Sequence, residues 1–201
     1  MNISKHPYEP YVPKWATKLI IGTIPPYRFC VNSQKIEKDD VLFYYGSRDN
    51  YLWDIFAELS NHKLDKANTD VAIKQRKELL DKFRIGITDI IATCIHKDGK
   101  SDDASLQNIK FKDIEKLLAD NPKIDTLLYT SDFVKRLMNE KFETYHNIVD
   151  KNAREYSINI NNKKYRVIIL YSPSPTALRG LGKGGEEKRK EQYSKYILSG
   201  K

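Results

Sequence analysis

Cysteine, methionine and tryptophan are scarce in this chain, two of each in 201 residues. Cys30 and Cys94 stand far apart, with neither CxxC spacing nor a neighbouring Cys/His set, which argues against a zinc site and leaves two reduced thiols. Cys94, in an apolar segment, is expected in the core. Long apolar runs are missing too. No stretch approaches the roughly 20 residues a membrane helix needs, and the start "MNISKHPYEPYVPKW" lacks the apolar centre of a secretory signal. A cytoplasmic protein is therefore expected, in a bacterial cytoplasm or nucleoid. The histidines His6, His62, His96 and His146 show no metal-ligand spacing, no GxSxG elbow occurs, and "GLGKGG" (180–185) follows no strand and has Gly after its Lys, so it is no Walker A loop. Hydrolase triads and metal catalysis recede, and neither metal nor cofactor is expected.

What is present suits one compact unit: 40% hydrophobic and 31% charged residues over this length point to a single domain, 1–201. Lysine and arginine exceed aspartate and glutamate by 35 to 27, a net charge of +8. Such an excess suits a polyanionic partner, because neutralised phosphates release counterions. Much of it falls late, at Arg179, Lys183, Lys188, Arg189, Lys190 and Lys195, where a solvated helix face explains it as well.

Hydrophobic period organises the chain. "KLIIGT" (18–23) is a buried strand ended by a proline pair, which a central strand cannot contain. "NYLWDIFAEL" has helical spacing, as does "NTDVAIKQRKELLDKF", with Thr69 or Asp70 as its cap and Gly86 just past its end. "GITDIIATCI" (86–95) reads as one β-branched strand. "FKDIEKLLAD" is a helix stopped by Asn121-Pro122, "IDTLLYT" a strand, and "DFVKRLMNEKF" a helix capped by Ser131. A hairpin around Asn161-Asn162 leads into "YRVIILYSPSP", and "GEEKRKEQYSKYIL" closes the chain as a helix. This alternation predicts a three-layer α/β/α fold around a central, mostly parallel four-stranded sheet. Ligands in such sheets sit beyond the carboxyl ends of the strands. Function is therefore expected in "GTIPPYRF", "HKDGKSDDAS", "TSDF" and "YSPSPTALRG".

Five separated pieces, "LIIGTIPP", "FYYGSRDNYLW", "GITDIIATCIHKDGKSDDASL", "IDTLLYTS" and "IILYSPSPTA", follow one another in an order that resembles the uracil-DNA glycosylase superfamily. The similarity is greatest to its hypoxanthine (deoxyinosine) branch, with a Gly-x-x-Pro loop, a Tyr-Tyr-x-x-x-Arg-Asn-x-x-Trp segment, an Asp followed by Gly-Ser-x-Asp, and a last Ser- and Pro-rich loop. It runs from about residue 18 to the final helix. The resemblance implies a monofunctional, monomeric glycosylase that flips a deaminated base, hypoxanthine or uracil, out of DNA and lets water attack the N-glycosidic bond. It places Gly22, Thr23, Ile24, Pro25, Phe43, Tyr44, Tyr45 and Thr130 around the base. Asn50 would handle water, with Asp49 as a substitute, since Asp49 intrudes where the branch has Arg directly before Asn. Arg48, Ser101, Asp102, Ser172, Pro173, Ser174, Pro175, Thr176 and Arg179 would meet DNA.

Two departures matter. Ile24 stands where many relatives carry a water-handling Asp or Asn, although the hypoxanthine branch also has an apolar residue there. Tyr171-Ser172 replaces the His with which many members stabilise the leaving base. A second reading follows from both, an inactive member that only binds nucleic acid or a protein; a third is an enzyme of free nucleosides. From the residues alone, Asn50 reads as a helix cap, and Tyr44 and Tyr45 equally as ordinary core.

Overall fold

The computed structural model describes residues 3–31, 35–142 and 153–199. His146 lies outside them. Among the described residues, eight strands and seven α-helices follow in the order β1 (Ser4–Lys5), β2 (Lys18–Gly22), α1 (Tyr27–Cys30), α2 (Leu52–Ser60), α3 (Asp70–Phe83), β3 (Ile85–Asp89), β4 (Ile91–His96), β5 (Leu106–Phe111), α4 (Ile114–Asp120), β6 (Thr126–Tyr129), α5 (Asp132–Phe142), β7 (Glu155–Ile160), β8 (Lys163–Ile169), α6 (Pro175–Gly180) and α7 (Gly185–Leu198).

The central sheet has five strands, not four, in the order β3-β2-β6-β8-β7. The first four are parallel, and β7 adds an antiparallel edge through its hairpin with β8. Both hairpin residues, Asn161 and Asn162, take positive φ (50° and 63°), the geometry that lets a two-residue turn match strand twist. The run read as one strand over 86–95 breaks at Ile90. Its first half, β3, pairs with β2, whereas β4 joins a separate three-stranded antiparallel sheet with β1 and β5. Backbone bonds fix the break: Ile90 N–H donates to Gly22 O at 2.9 Å and Ile91 N–H to Thr23 O at 3.1 Å. The second sheet carried only a weak period-2 signal, since "LQNIKF" breaks its alternation at the exposed Gln107-Asn108 pair.

Side chains alternate across the sheet into two cores. Ile20, Leu128 and Ile168 face one, with Leu52, Phe56, Leu80 and Tyr193 from α2, α3 and α7. Leu19, Ile21, Leu127, Val167 and Ile169 face the other, with Leu118, Val134 and Met138 from α4 and α5. Cys94 is buried in the second core, and burial raises its thiol to about 11 and that of Cys30 to about 12.

Caps set the helix ends. Thr69 Oγ1 accepts from Ala72 N–H at 3.2 Å, and Ser131 Oγ from Val134 N–H at 3.2 Å. Arg84, at φ 55°, terminates α3; Gly86 is inside β3. At the end of α7 the Lys18 ammonium donates to the carbonyls of Tyr196 (2.8 Å), Ile197 (3.1 Å) and Ser199, a cation on the orphan carbonyls of a helix C-terminus. That contact ties α7 to the start of β2. Among the described residues no helix is long and apolar enough to cross a membrane.

Candidate active site

Beyond the carboxyl ends of β2, β3, β6 and β8 lies a cleft of about 750 Å³, within the range of small-molecule sites. All four loops singled out in the sequence reach it. Thr23, Ile24 and Pro25 come from the first, Ser101 and Asp102 from the second, Thr130 from the third, and Ser172 to Thr176 from the last. Tyr45, Asp49 and Asn50 complete one side.

Adjacent aromatics part company here. Tyr44 is fully buried in the core, donating its hydroxyl to Tyr8 O at 3.2 Å, and Phe43 packs against Trp53 beside it. Neither lines the cleft, so two of the three expected pocket-wall aromatics are core residues. Tyr45 alone turns inward, because it adopts φ 53°, a conformation uncommon for a bulky side chain and found where surrounding structure over-determines it. Gly46 makes the turn possible: a Cβ there would stand 1.8 Å from Val41 O. The Tyr45 hydroxyl is within 2.7 Å of Thr130 Oγ1. Burial, then the charge of Asp89, push its pKa well above the ordinary phenol value, so it stays a neutral hydroxyl.

Gly22 ends β2 under this group without lining the cleft. A Cβ on Gly22 would lie 2.1 Å from the Tyr45 hydroxyl and 2.2 Å from Asp89 Oδ1, so the two oxygens converge over a residue that must lack a side chain. Asp89 is the residue the sequence reading passed over. It is 4% exposed, yet it lines the cleft. His6 Nε2 lies 2.8 Å from its Oδ2, while His6 Nδ1 accepts from Tyr8 N–H at 3.1 Å. Since Nδ1 is an acceptor, the ring proton sits on Nε2 and donates to Asp89. Oδ1 has no protein partner among the described residues and remains the acceptor over Gly22. A signal existed: one acid inside the apolar "GITDII".

On the rim, Asn50 joins two roles. Helix α2 begins at Leu52, and Asn50 Oδ1 accepts from Leu52 N–H at 3.0 Å, so the side chain caps the helix from one position further back than expected. The same carbonyl oxygen keeps a second lone pair, and the residue lines the cleft. Asp49 is more exposed, 3.8 Å from both Arg28 Nη2 and Arg48 Nε. The loop bearing them is knotted at Asp40, whose carboxylate accepts from Arg28 Nε and Nη2, both at 2.8 Å, and from the N–H groups of Glu37 and Arg48, both at 2.9 Å.

The last loop is stiff. Ser174 caps α6 by accepting from Ala177 N–H at 3.2 Å, and Ser172 Oγ lies 3.3 Å from both Ser174 N and Oγ. Ser101 Oγ accepts from Tyr27 N–H at 2.9 Å, fastening the second loop to the first. Arg48 and Arg179 are exposed and do not line the cleft; Arg179 Nη2 reaches Thr176 Oγ1 at 3.3 Å. Two unforeseen cations do line it. Arg28 is held by Asp40, and Arg154 lies over the Tyr171 ring at 4.5 Å and 3.5 Å from Asp132.

No family model and no curated protein matches this chain. Solved structures do match, among them the solution NMR structure of a "putative Uracil DNA glycosylase" from Methanosarcina acetivorans. The TM-score is 0.57 at 18% identity, over 98% of this chain and 97% of that one. The chain has the fold of that protein. At this identity the likeness concerns the path of the backbone, and the side chains of the cleft must be argued from this chain's own geometry. The shared fold runs through all the elements that carry the cleft, from β2 to α7.

Proposed function

We propose that this protein is a DNA glycosylase, a monomer that takes a deaminated base, hypoxanthine or uracil, out of the duplex and hydrolyses its N-glycosidic bond. One observation carries this reading: a cleft at the carboxyl ends of the parallel strands unites a neutral hydroxyl, a buried carboxylate and a rigidly held amide with a stiff Ser/Pro loop.

The flipped base would enter over Gly22, with Tyr45 beside it. Asp89 Oδ1 would accept the ring N–H that hypoxanthine and uracil both present, N1–H in one and N3–H in the other. Breaking the bond leaves positive charge on the sugar and negative charge on the base. Water must then stand on the sugar face opposite the departing base. The Asn50 carbonyl, fixed by Leu52 N–H, can accept a hydrogen bond from that water, so orientation is provided before reaction. Asp49 is the alternative, but its exposure leaves it less fixed. Ser172 to Thr176 would press against the duplex while the base is out, and Arg179, exposed beyond them, would meet phosphate.

The test is base release from duplexes carrying one deoxyinosine or one deoxyuridine, comparing the wild type with Asn50→Ala. A wild type that releases the base and a variant slowed by about a hundredfold or more are expected. DNA retained without release from either duplex would favour the inactive binding protein instead.

A second reading has its own observation. Asp49, Asp89, Asp102, Asp103 and Asp132 line the cleft against Arg28 and Arg154, an acid excess that repels a polyanion. It favours a free nucleoside, and cleavage of inosine without DNA would establish it.

A further inference from the structure

We propose that Arg189 is a positioning residue of this cleft. It sets the Asn50 loop and the Ser172–Thr176 loop against each other and places an unneutralised positive charge behind the loop start, where Tyr171-Ser172 provides no cation. The inference rests on the glycosylase reading for its chemistry, but its structural half stands without it.

Arg189 lies on the inner face of α7 with Tyr193 and Ile197, at helical spacing, and is 2% exposed. Its Nη1 donates to Ser172 O at 3.4 Å, and its guanidinium carbon is 4.8 Å from the centre of the Tyr51 ring. One planar cation therefore touches the residue after Asn50 and the first residue of the Ser/Pro loop. Further bonds converge on the same seam. Tyr51 N–H donates to Pro173 O at 3.0 Å, Gln192 Oε1 accepts from Tyr171 N–H at 2.6 Å, and the Tyr193 hydroxyl donates to Tyr171 O at 3.1 Å. The Gln192 and Tyr193 bonds hold α7 to the loop; Arg189 and the Tyr51–Pro173 bond join the loop to the Asn50 side.

Packing alone does not call for arginine here. No acidic side chain pairs with Arg189 among the described residues, and its buried Nε has no partner. A buried guanidinium without a carboxylate is costly, and an apolar side chain of similar length would fill the space at less expense. The charge has a use if the neighbouring cleft develops an anion. A base leaving as an anion past Ser172 gains from a cation held in a medium that screens poorly, and Arg189 acts there through Ser172 and through space.

Arg189→Met keeps the length and removes the charge; Arg189→Lys keeps the charge and loses the fork. Single-turnover release is measured at saturating duplex, together with duplex affinity and amide hydrogen exchange. The expectation is that Arg189→Met slows release by about tenfold or more, that Arg189→Lys recovers much of the loss, and that affinity stays within about threefold because the side chain is buried. Release at the wild-type rate in Arg189→Met overturns the proposal, as does a lysine variant as slow as the methionine one. If the wild type releases no base at all, the glycosylase reading fails separately. Exchange then decides: faster exchange in Arg189→Met confined to Tyr51–Trp53 and Tyr171–Ala177 supports positioning, and unchanged exchange refutes it. Should Arg189→Met not fold, Tyr51→Leu removes only the stacking face, and the same slower release and loop-confined exchange are required of it.

Discussion

The two walls of the cleft are each organised around an arginine, and they treat its charge in opposite ways. On the Asn50 side, Arg28 is matched by Asp40, a fully buried carboxylate saturated by two guanidinium and two backbone N–H bonds. On the Ser172 side, Arg189 is more deeply buried but has a carbonyl and a ring for company and, among the described residues, no acid. A neutralised pair with every lone pair used serves to fix a loop. An unneutralised cation fixes a loop less economically, and its retention is better explained by what happens in the cleft. The comparison separates a group that makes the wall from a group that also works through it.

The largest effect should come from breaking the matched pair. Asp40→Ala removes the partner of a half-buried cation and the acceptor of two loop N–H groups, and should lower unfolding free energy by about 3 kcal/mol or more in urea titration. Arg189→Met should change it by only about 1 kcal/mol, since replacing a buried charge by an apolar group is often near neutral. Equal losses in the two variants would mean that both arginines serve only to hold their loops. Acid sharpens it. Burial opposes the Asp40 carboxylate, but Arg28 and the two backbone donors outweigh burial and hold its pKa below the usual value. A depressed folded-state pKa contributes stability that is complete above the unfolded value, about 4, and is lost as pH falls through the folded value. The stability gap between the wild type and Asp40→Asn should therefore be constant near neutrality and shrink only in acid, while that between the wild type and Arg189→Met shows no such step.

The sequence exposed one kind of feature and hid another. Strand ends followed by Pro- and Ser-rich loops were legible because apolar runs and breakers are local signals, and those loops do meet in one cleft. Asp89 was hidden by reading "GITDIIATCI" as one strand; the break at Ile90 makes Asp89 a strand end, where a side chain can face a site. Its partner His6 comes from a segment with no periodic signal, brought in by the pairing of β1 with β4. Arg189 sits in "GEEKRKEQ", whose polarity looks like a solvated face, and only the packed structure shows which of its cations points inward. Phe43 and Tyr44 were misplaced for a backbone reason: successive residues diverge, and the positive φ of Tyr45 decides which of them reaches the cleft.

Gly22→Ala comes next in size. The added methyl must displace the Tyr45 hydroxyl or Asp89, costing about 2 kcal/mol and, on the proposed reading, most of the base release. A fully active Gly22→Ala would remove Tyr45 and Asp89 from the proposed chemistry together.

The smallest change asks most directly whether the cleft wall differs from the core behind it. Tyr44→Phe and Tyr45→Phe each delete one hydroxyl with one or two hydrogen bonds, to Tyr8 O and Lys112 Nζ in the first and to Thr130 Oγ1 in the second. Each should lose about 1 kcal/mol of stability, so thermal unfolding alone will not tell them apart. Base release should. Tyr44 serves the core, and its variant should keep the wild-type rate at a temperature where both variants are folded. Tyr45 presents its hydroxyl beside Asp89 Oδ1 over Gly22, and its loss should slow release and weaken discrimination between the deaminated base and its parent. Equal rates in the two variants would make Tyr45, despite its strained backbone and its place on the cleft, another packing residue.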